Sequence, residues 1–332
     1  MHSVTRSELE AQAPAWDDLV PGDALIDPFC ARSAWQLAFH DAFEPGRRLW
    51  FDRSERGCVV LAESTRRGPV GLLEPLENMW GFGSPLIGEE APALLARALR
   101  RKPRPVLLLG LPADRRRLAP LIDLVPAGFQ ARSLEATIRF VASLDGGIEG
   151  WLARRRPAFR RNLRASVRRG ESAGIRFRRI EKIGAGELAG AYATVLEVER
   201  RSWKSLSGRG ADGEPMRSFY SGLWPRLVDQ ARLDLLLAEH DGRPIGYLHG
   251  ARVGGHFRGL QFSFDETWRA IGLGNLLQFE MLKWLCEDGA ARYDLGGQSA
   301  YKGDWAEPGP EGLSLLLLPA TTAGRRTDTI GP

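Results

Sequence analysis

Cysteine is scarce: Cys30, Cys58 and Cys286 are scattered through 332 residues. An odd, unspaced set of three builds neither a disulfide framework nor a zinc site, and a reducing, cytoplasmic compartment is expected. Apolar runs are short. None approaches the roughly 20 residues that a membrane-spanning helix needs, and residues 1–18 are polar and partly acidic, without the apolar core of a secretory signal. No Gly-x-Ser-x-Gly elbow is present to support a serine hydrolase. Neither His249 nor His256 has a partner at metal-ligand spacing, so no metal is expected. Low-complexity tracts are also missing.

What is present is ordinary globular composition, 43% hydrophobic and 26% charged, in a chain long enough for two cores. The net charge is +5, and arginine far outnumbers lysine. The overall bias matches a GC-rich coding composition; its local distribution carries more information.

Hydrophobic periodicity and turn signals predict alternating short elements. In the first half, helices are expected over residues 33–42 (with Ser33 as N-cap), 91–101 and 114–124. Strands are expected over 48–51, 58–63, 70–73, 106–109 and 134–141. In the second half, a helical stretch over 151–173 is interrupted near Pro157. A strand (176–180), two helices (187–202 and 217–230) and a three-strand meander (233–240, 244–253, 256–264) follow. The meander turns contain Asp241-Gly242 and Gly254-Gly255, strong hairpin signals. A helix (275–287) and strands at 292–295 and 313–318 complete the chain. The mixture without strict βαβ alternation predicts an α/β (α+β) protein with mixed central sheets flanked by helices. The expected division is an N-terminal extension (1–19), a first domain (20–145), a second domain (146–320) and a flexible tail (321–332).

The most informative segment is Arg269-Ala-Ile-Gly272-Leu-Gly274, between a strand and an amphipathic helix. The first N–H groups of a helix have no internal partner, and the helix dipole adds positive character there. Such an end suits a phosphate or pyrophosphate. Gly272 and Gly274 permit close approach of a ligand to the backbone, and Arg269 adds a charged contact. Glycines that merely relieve local strain are the plain alternative. A dinucleotide fingerprint is disfavoured, because Leu277 stands where its third glycine belongs.

Arg269-x-x-Gly272-x-Gly274, after an antiparallel meander and before a helix, resembles the pyrophosphate loop of GNAT acyltransferases. Arg160-Arg-Asn-Leu-Arg164, Glu199-Arg-Arg-Ser-Trp-Lys204, Asp241-Gly-Arg-Pro-Ile245, the loop, and Tyr293-Asp-Leu-Gly-Gly with Tyr301-Lys302 occur in order. Over roughly residues 150–310 this resembles the FemAB-like GNAT group that includes acetyltransferases associated with cellulose biosynthesis. The resemblance implies tandem GNAT-like domains. The first is degenerate, because it lacks an Arg-x-x-Gly-x-Gly loop.

The resemblance implies an N-acyltransferase. Its donor would be an acyl-CoA or an acyl-carrier-protein phosphopantetheine thioester, and its acceptor an amine of an amino sugar, amino acid or peptide side chain. Gln261, Phe262, Ser263 and Phe264 would line the pantetheine arm. Arg269, Ile271, Gly272, Leu273, Gly274 and Asn275 would hold the phosphates. Tyr301 is the candidate acid for the leaving thiolate; a packed aromatic is its plain alternative. Lys302 faces a phosphate or a developing negative charge, or is simply solvated. Asp294 and Glu199 are candidate bases. Each has a structural alternative, Asp294 as a hydrogen-bond acceptor and Glu199 as a surface ion pair with Arg200 or Lys204. Asp265 and Glu266 are a further option. Trp203, Lys204 and His249 are candidate substrate contacts, although a lone strand histidine is more often packed.

Between Arg154 and Arg169 stand eight arginines and no acid. Phe159, Leu163 and Val167 give that helix one narrow packing face. The arginines are either a solvated surface or an anion surface for CoA phosphates, an acidic carrier protein, an acidic leader peptide or tRNA. Sparse interleaved aromatics disfavour sequence-specific nucleic-acid recognition. An aminoacyl-tRNA-dependent FemAB-type transferase and a non-catalytic acyl-CoA-binding module remain as alternatives.

Overall fold

A computed structural model describes residues 1–20, 26–65, 69–181, 183–229 and 233–320. The expected tail at 321–332, and Gln230 at the end of an expected helix, lie outside the described residues. The chain divides into two compact units. One comprises Met1–Asp27, Gly46–Thr137 and Glu311–Pro332, the other Pro28–Pro45 and Ile138–Pro310. Residues 28–45 therefore belong with the second unit, and the last strand contributes to the first. Among the described residues, no helix is long and apolar enough to cross a membrane.

In the first unit, the N-terminal residues are integral. The strand His2–Val4 pairs with Leu49–Ser54, and Thr5 caps the helix Arg6–Ala11 through a capping box with Glu8. Leu9 and Trp16 are completely buried, which fixes this segment to its unit despite its polar composition. Leu49–Ser54 pairs with Gly57–Glu63, which continues to Leu73–Glu74 and to a short unanticipated strand, Leu86–Gly88. Val106–Pro112 pairs with the segment Leu313 to Leu317 of the strand Glu307–Pro319 as an antiparallel neighbour. Val70, expected in a strand, is 98% exposed. The helix Ala91–Arg101 buries Leu94, Leu95 and Leu99 on the face its periodicity predicts.

The second unit is a six-strand sheet covered on both faces. Its order is residues 138–143, Arg292–Gly297, His256–Phe264, Arg243–Val253, Leu233–His240 and Arg176–Ile180. The last four strands named form an antiparallel ribbon. His256–Phe264 and Arg292–Gly297 run parallel. Side chains alternate across the sheet. Ile245 and Leu248 pack with Leu273, Leu277 and Met281 of the helix Leu273–Glu287. Tyr247 and His249 instead meet the helices Leu188–Arg200 and Met216–Asp229 on the other face. Ser33–Phe43 packs on the latter helix, with Trp35 edge-on to Phe219. Ser33 is the first helical residue rather than the cap; Arg32 occupies that position without a side-chain capping bond.

The expected interruption at Pro157 is real. Gly147–Ala153 ends, and Pro157 opens Pro157–Ser172 at its first position, where its missing N–H costs nothing. This second helix lies against Leu273–Glu287. Gly170 makes the approach possible, because a Cβ there would fall 2.6 Å from the Leu276 side chain.

Candidate active site

The two parallel strands form a fork. They pair only at His256–Arg292, Phe257–Tyr293 and Arg258–Asp294, and then part. Two local features separate them. In His256–Phe264 the register slips opposite His249 and Gly250, leaving Leu260 without a partner residue. Such a bulge bends a strand and increases its twist. The Leu260 carbonyl, turned out of the ladder, accepts the Tyr220 hydroxyl at 3.2 Å. In the other strand, Gly296 sits at φ +80°, and its N–H returns to Asp294 at 2.7 Å.

The closed end of the fork is an ionic cluster. Asp294 accepts from Arg139 through one oxygen and from Arg258 through the other, each at 2.7 Å. All three residues are buried. Asp294 therefore has no free oxygen with which to act as a base, and its structural alternative is the one observed. Removing one partner from such a group leaves an uncompensated buried charge.

The open end of the fork is a cavity of about 140 Å³, lined by Lys204, Gln261, Gln278, Tyr293, Tyr301 and Lys302 among others. It shares Lys204, Phe262, Gln278 and Tyr301 with a larger cleft of about 590 Å³. Gly272, Gly274, Asn275 and Arg269 stand along this cleft, facing Phe159, Asn162 and Trp305.

The expected phosphate loop is at the cleft edge, in more regular form than a simple loop. Glu266–Ile271 is a 3-10 turn capped by Asp265, and Gly272 at φ +83° turns the chain into the helix Leu273–Glu287. The Gly272 N–H donates to the Arg269 carbonyl, while Asn275 and Leu276 donate to the Gly272 carbonyl. Among the described residues, the N–H groups of Leu273 and Gly274 have no partner. Ser166 and Arg169 buttress the turn from behind: a Cβ on Gly272 would lie 2.7 Å from Ser166 Oγ, and Arg169 donates to the Ile271 carbonyl. Arg269 is bonded to Glu266 and sits 6.0 Å from the Trp203 ring. Asp265 is held below the usual carboxylate range by bonds from Thr267 and Arg201 that outweigh its desolvation.

The other expected residues divide clearly. Gln261, Phe262, Ser263 and Phe264 line the fork and cleft. Ser263 is buried, and its hydroxyl has no partner among the described residues. Trp203 and Lys204 line the cleft. Lys204 donates to the Phe262 carbonyl at 2.5 Å, and burial lowers its pKa. Tyr301 lines both spaces; burial pushes its hydroxyl up to about 12, so it keeps its proton at neutral pH. Lys302 donates to the Gly297 carbonyl at 2.6 Å. Burial, aided by Arg258, lowers its pKa to about 8.

Four expectations are corrected beside that of Asp294. Glu199 is completely buried, with one oxygen taken by Tyr247 (2.7 Å) and the other by the Ala211 N–H (2.8 Å). It is neither a surface ion pair nor a base facing the cleft. His249 is 1% exposed, enclosed by Tyr220, Trp224 and Tyr247 on the opposite sheet face, and burial lowers its pKa to about 3. It contacts no substrate space. The side chain of Leu273 is core, so only its backbone faces a ligand. Ile271 packs partly into the core and borders an open hollow with Arg168 and Arg169 instead of the cleft.

Sequence reading missed Gln278, Asp304, Asn162 and Trp305 as cleft residues. Asp304 has no signal beyond its nearness to Tyr301-Lys302. Its carboxylate has no partner among the described residues. Among those residues, no group of three or more His, Cys, Asp or Glu could hold a metal ion.

Residues 157–303 match the family model described as an acetyltransferase (GNAT) domain. No curated protein matches the sequence. Among solved structures, FemX is 13% identical with a TM-score of 0.60, over 95% of this chain and 96% of that one. A conserved protein of unknown function from Bacteroides thetaiotaomicron VPI-5482 is 11% identical with a TM-score of 0.63, over 95% and 98%. L-PGS from Bacillus licheniformis is 14% identical with a TM-score of 0.54, over 93% and 91%. At these identities the likeness is one of fold.

Proposed function

We propose that this chain, whose residues 157–303 match a GNAT acetyltransferase domain, is an N-acyltransferase. It takes its acyl group from a phosphopantetheine thioester and gives it to an amine. The observation that carries the reading is the continuity of three features in one unit: a helix N-terminus with unpartnered N–H groups, a cleft beside it, and a fork that exposes the edge of a strand.

Phosphates at the Leu273 and Gly274 N–H groups, with Arg269 alongside, fix the donor's outer end. The pantetheine arm then runs along Gln261 to Phe264, where the parted strand leaves backbone groups for an added extended chain. The thioester reaches Tyr301. The amine attacks the carbonyl carbon, the carbon–sulfur bond breaks, and the hydroxyl of Tyr301 gives its proton to the sulfur. The amine's proton passes to Asp304, the unpartnered carboxylate in the cleft. Holding both reactants in the cleft is itself a large part of catalysis.

Incubation with pooled acyl thioesters and amines, followed by mass spectrometry, tests this. Amide product that disappears in Gly272→Glu supports it; thioester binding unchanged by that substitution refutes it. A second reading, aminoacyl-tRNA as donor, draws on Arg156, Arg161, Arg164 and Arg168, which are exposed on or beside the helix Pro157–Ser172. None has an acidic partner among the described residues. That reading requires activity to be lost on RNase treatment. An acidic carrier protein is the corresponding partner under the first reading.

A further inference from the structure

We propose that the cavity in the open fork is a receptor for a carboxylate carried by one of the substrates, held between Lys204 and Lys302. The inference rests on the acyl-transfer reading and names a substrate class for it.

Lysine is rare here: Lys102, Lys182, Lys204, Lys283 and Lys302 are all the chain has. Two of them line one cavity of about 140 Å³. An ammonium is a compact charge with three donors. Each of these two gives one bond to a backbone carbonyl, Phe262 for Lys204 and Gly297 for Lys302. Neither has a carboxylate within ion-pair distance among the described residues. Of the nearby acids, Asp294 is engaged by Arg139, Arg258 and the Gly296 N–H, and Glu199 by Tyr247 and Ala211; Asp304, in the adjoining cleft, forms no ion pair with either lysine among the described residues. Gln278 accepts the Tyr293 hydroxyl on its amide oxygen, which leaves its amide nitrogen as a further donor.

Burial disfavours the charged form of both lysines, and at Lys302 the like charges of Arg258 and Lys204 add to that cost. A tetrahedral oxyanion would offset it only during the reaction. A carboxylate present throughout the bound state offsets it in the complex itself, through charge-assisted bonds. The carboxylate has two sources. It can belong to the acyl group, as in a succinyl or malonyl thioester, or to the acceptor, as in an amino acid.

The experiment compares kcat/KM in two arms. In the donor arm, succinyl-CoA and malonyl-CoA are set against acetyl-CoA and propionyl-CoA with a neutral amine. In the acceptor arm, amino acids are set against their amides with acetyl-CoA. A preference of about ten- to hundredfold for the carboxylate-bearing substrate is expected in one arm, the size of a charged hydrogen bond, and that arm identifies the source. Lys204→Met should reduce the ratio at least about tenfold, and Lys302→Met serves if Lys204→Met does not fold. No preference in either arm overturns the inference, as does a preference that survives both substitutions. Calorimetry with desulfo-CoA separates the two readings. If desulfo-CoA binds and amide forms without carboxylate preference, only this inference fails. If it does not bind, the donor reading falls and this inference with it.

Discussion

Substituting Gly272 separates the mechanical and electrostatic roles of the loop. Gly272 is left-handed, at φ +83° and ψ 37°. A residue with a Cβ pays about 1–2 kcal/mol in that region. Its Cβ would also stand 2.7 Å from Ser166 Oγ, and Ser166 is 2% exposed, so it has little room to retreat. A glutamate at the helix N-terminus recovers about 0.3–1 kcal/mol from the dipole. Strain less the dipole gain leaves about 1 kcal/mol, and the overlap with Ser166 adds about 1–3 kcal/mol, so the net loss of stability in Gly272→Glu is about 2–4 kcal/mol, or a Tm lower by about 4–16 °C. The effect on donor binding is separate. A unit charge about 5 Å from a bound phosphate costs about 3 kcal/mol at an effective dielectric of 20, roughly a hundredfold in Kd. Gly272→Ala carries the strain without the charge and should keep most of the affinity. Calorimetric titration with CoA and thermal unfolding of both variants read the two effects separately. Equal affinity in Gly272→Glu and Gly272→Ala would refute phosphate binding at this helix end.

Asp294→Ala removes the buried carboxylate to which Arg139 and Arg258 both donate and should cost about 3–5 kcal/mol in denaturant unfolding; a loss below about 1 kcal/mol would mean the cluster does not hold the strands. Tyr301→Phe should lower kcat about a hundredfold or more with little change in CoA affinity, and full turnover would remove Tyr301 from the acid role. His249 supplies a pH dependence of stability. Its pKa falls from 6.5 to about 3 on folding, so between these values the unfolded chain binds more protons. Stability therefore rises with pH across that window and is lost on acidification towards pH 3. In His249→Phe, chemical denaturation between pH 3 and 6.5 should show a shallower slope; an unchanged slope would contradict the burial argument.

Much of the second unit is legible because its signals are local. Asp241-Gly242 and Gly254-Gly255 mark the meander turns, and Pro157 marks a helix start; all three are properties of neighbouring residues. Gly272 is a local feature of the same kind, since a left-handed turn at a helix start needs nothing distant. Partners far apart in sequence are not legible. Asp294 resembles a catalytic carboxylate until Arg139, 155 residues away, is brought to it. Glu199 follows the pattern of a helix-surface acid until Tyr247 and the Ala211 N–H enclose it. The polar N-terminus conceals Leu9 and Trp16, whose burial depends on the strand and helices they meet.

Helix, strand and turn signals, the glycine-bearing helix start and the family resemblance are legible because each depends on short spacings along one chain. Which charges are neutralised by a buried partner depends on the folded chain: Asp294 and Glu199 are engaged in buried bonds, His249 lies on the far face of the sheet, and Lys204, Lys302 and Asp304 line the fork cavity and the cleft. The physical reason is that a side chain's chemistry depends on its desolvation and its partners, and both are fixed by folding rather than by residue type.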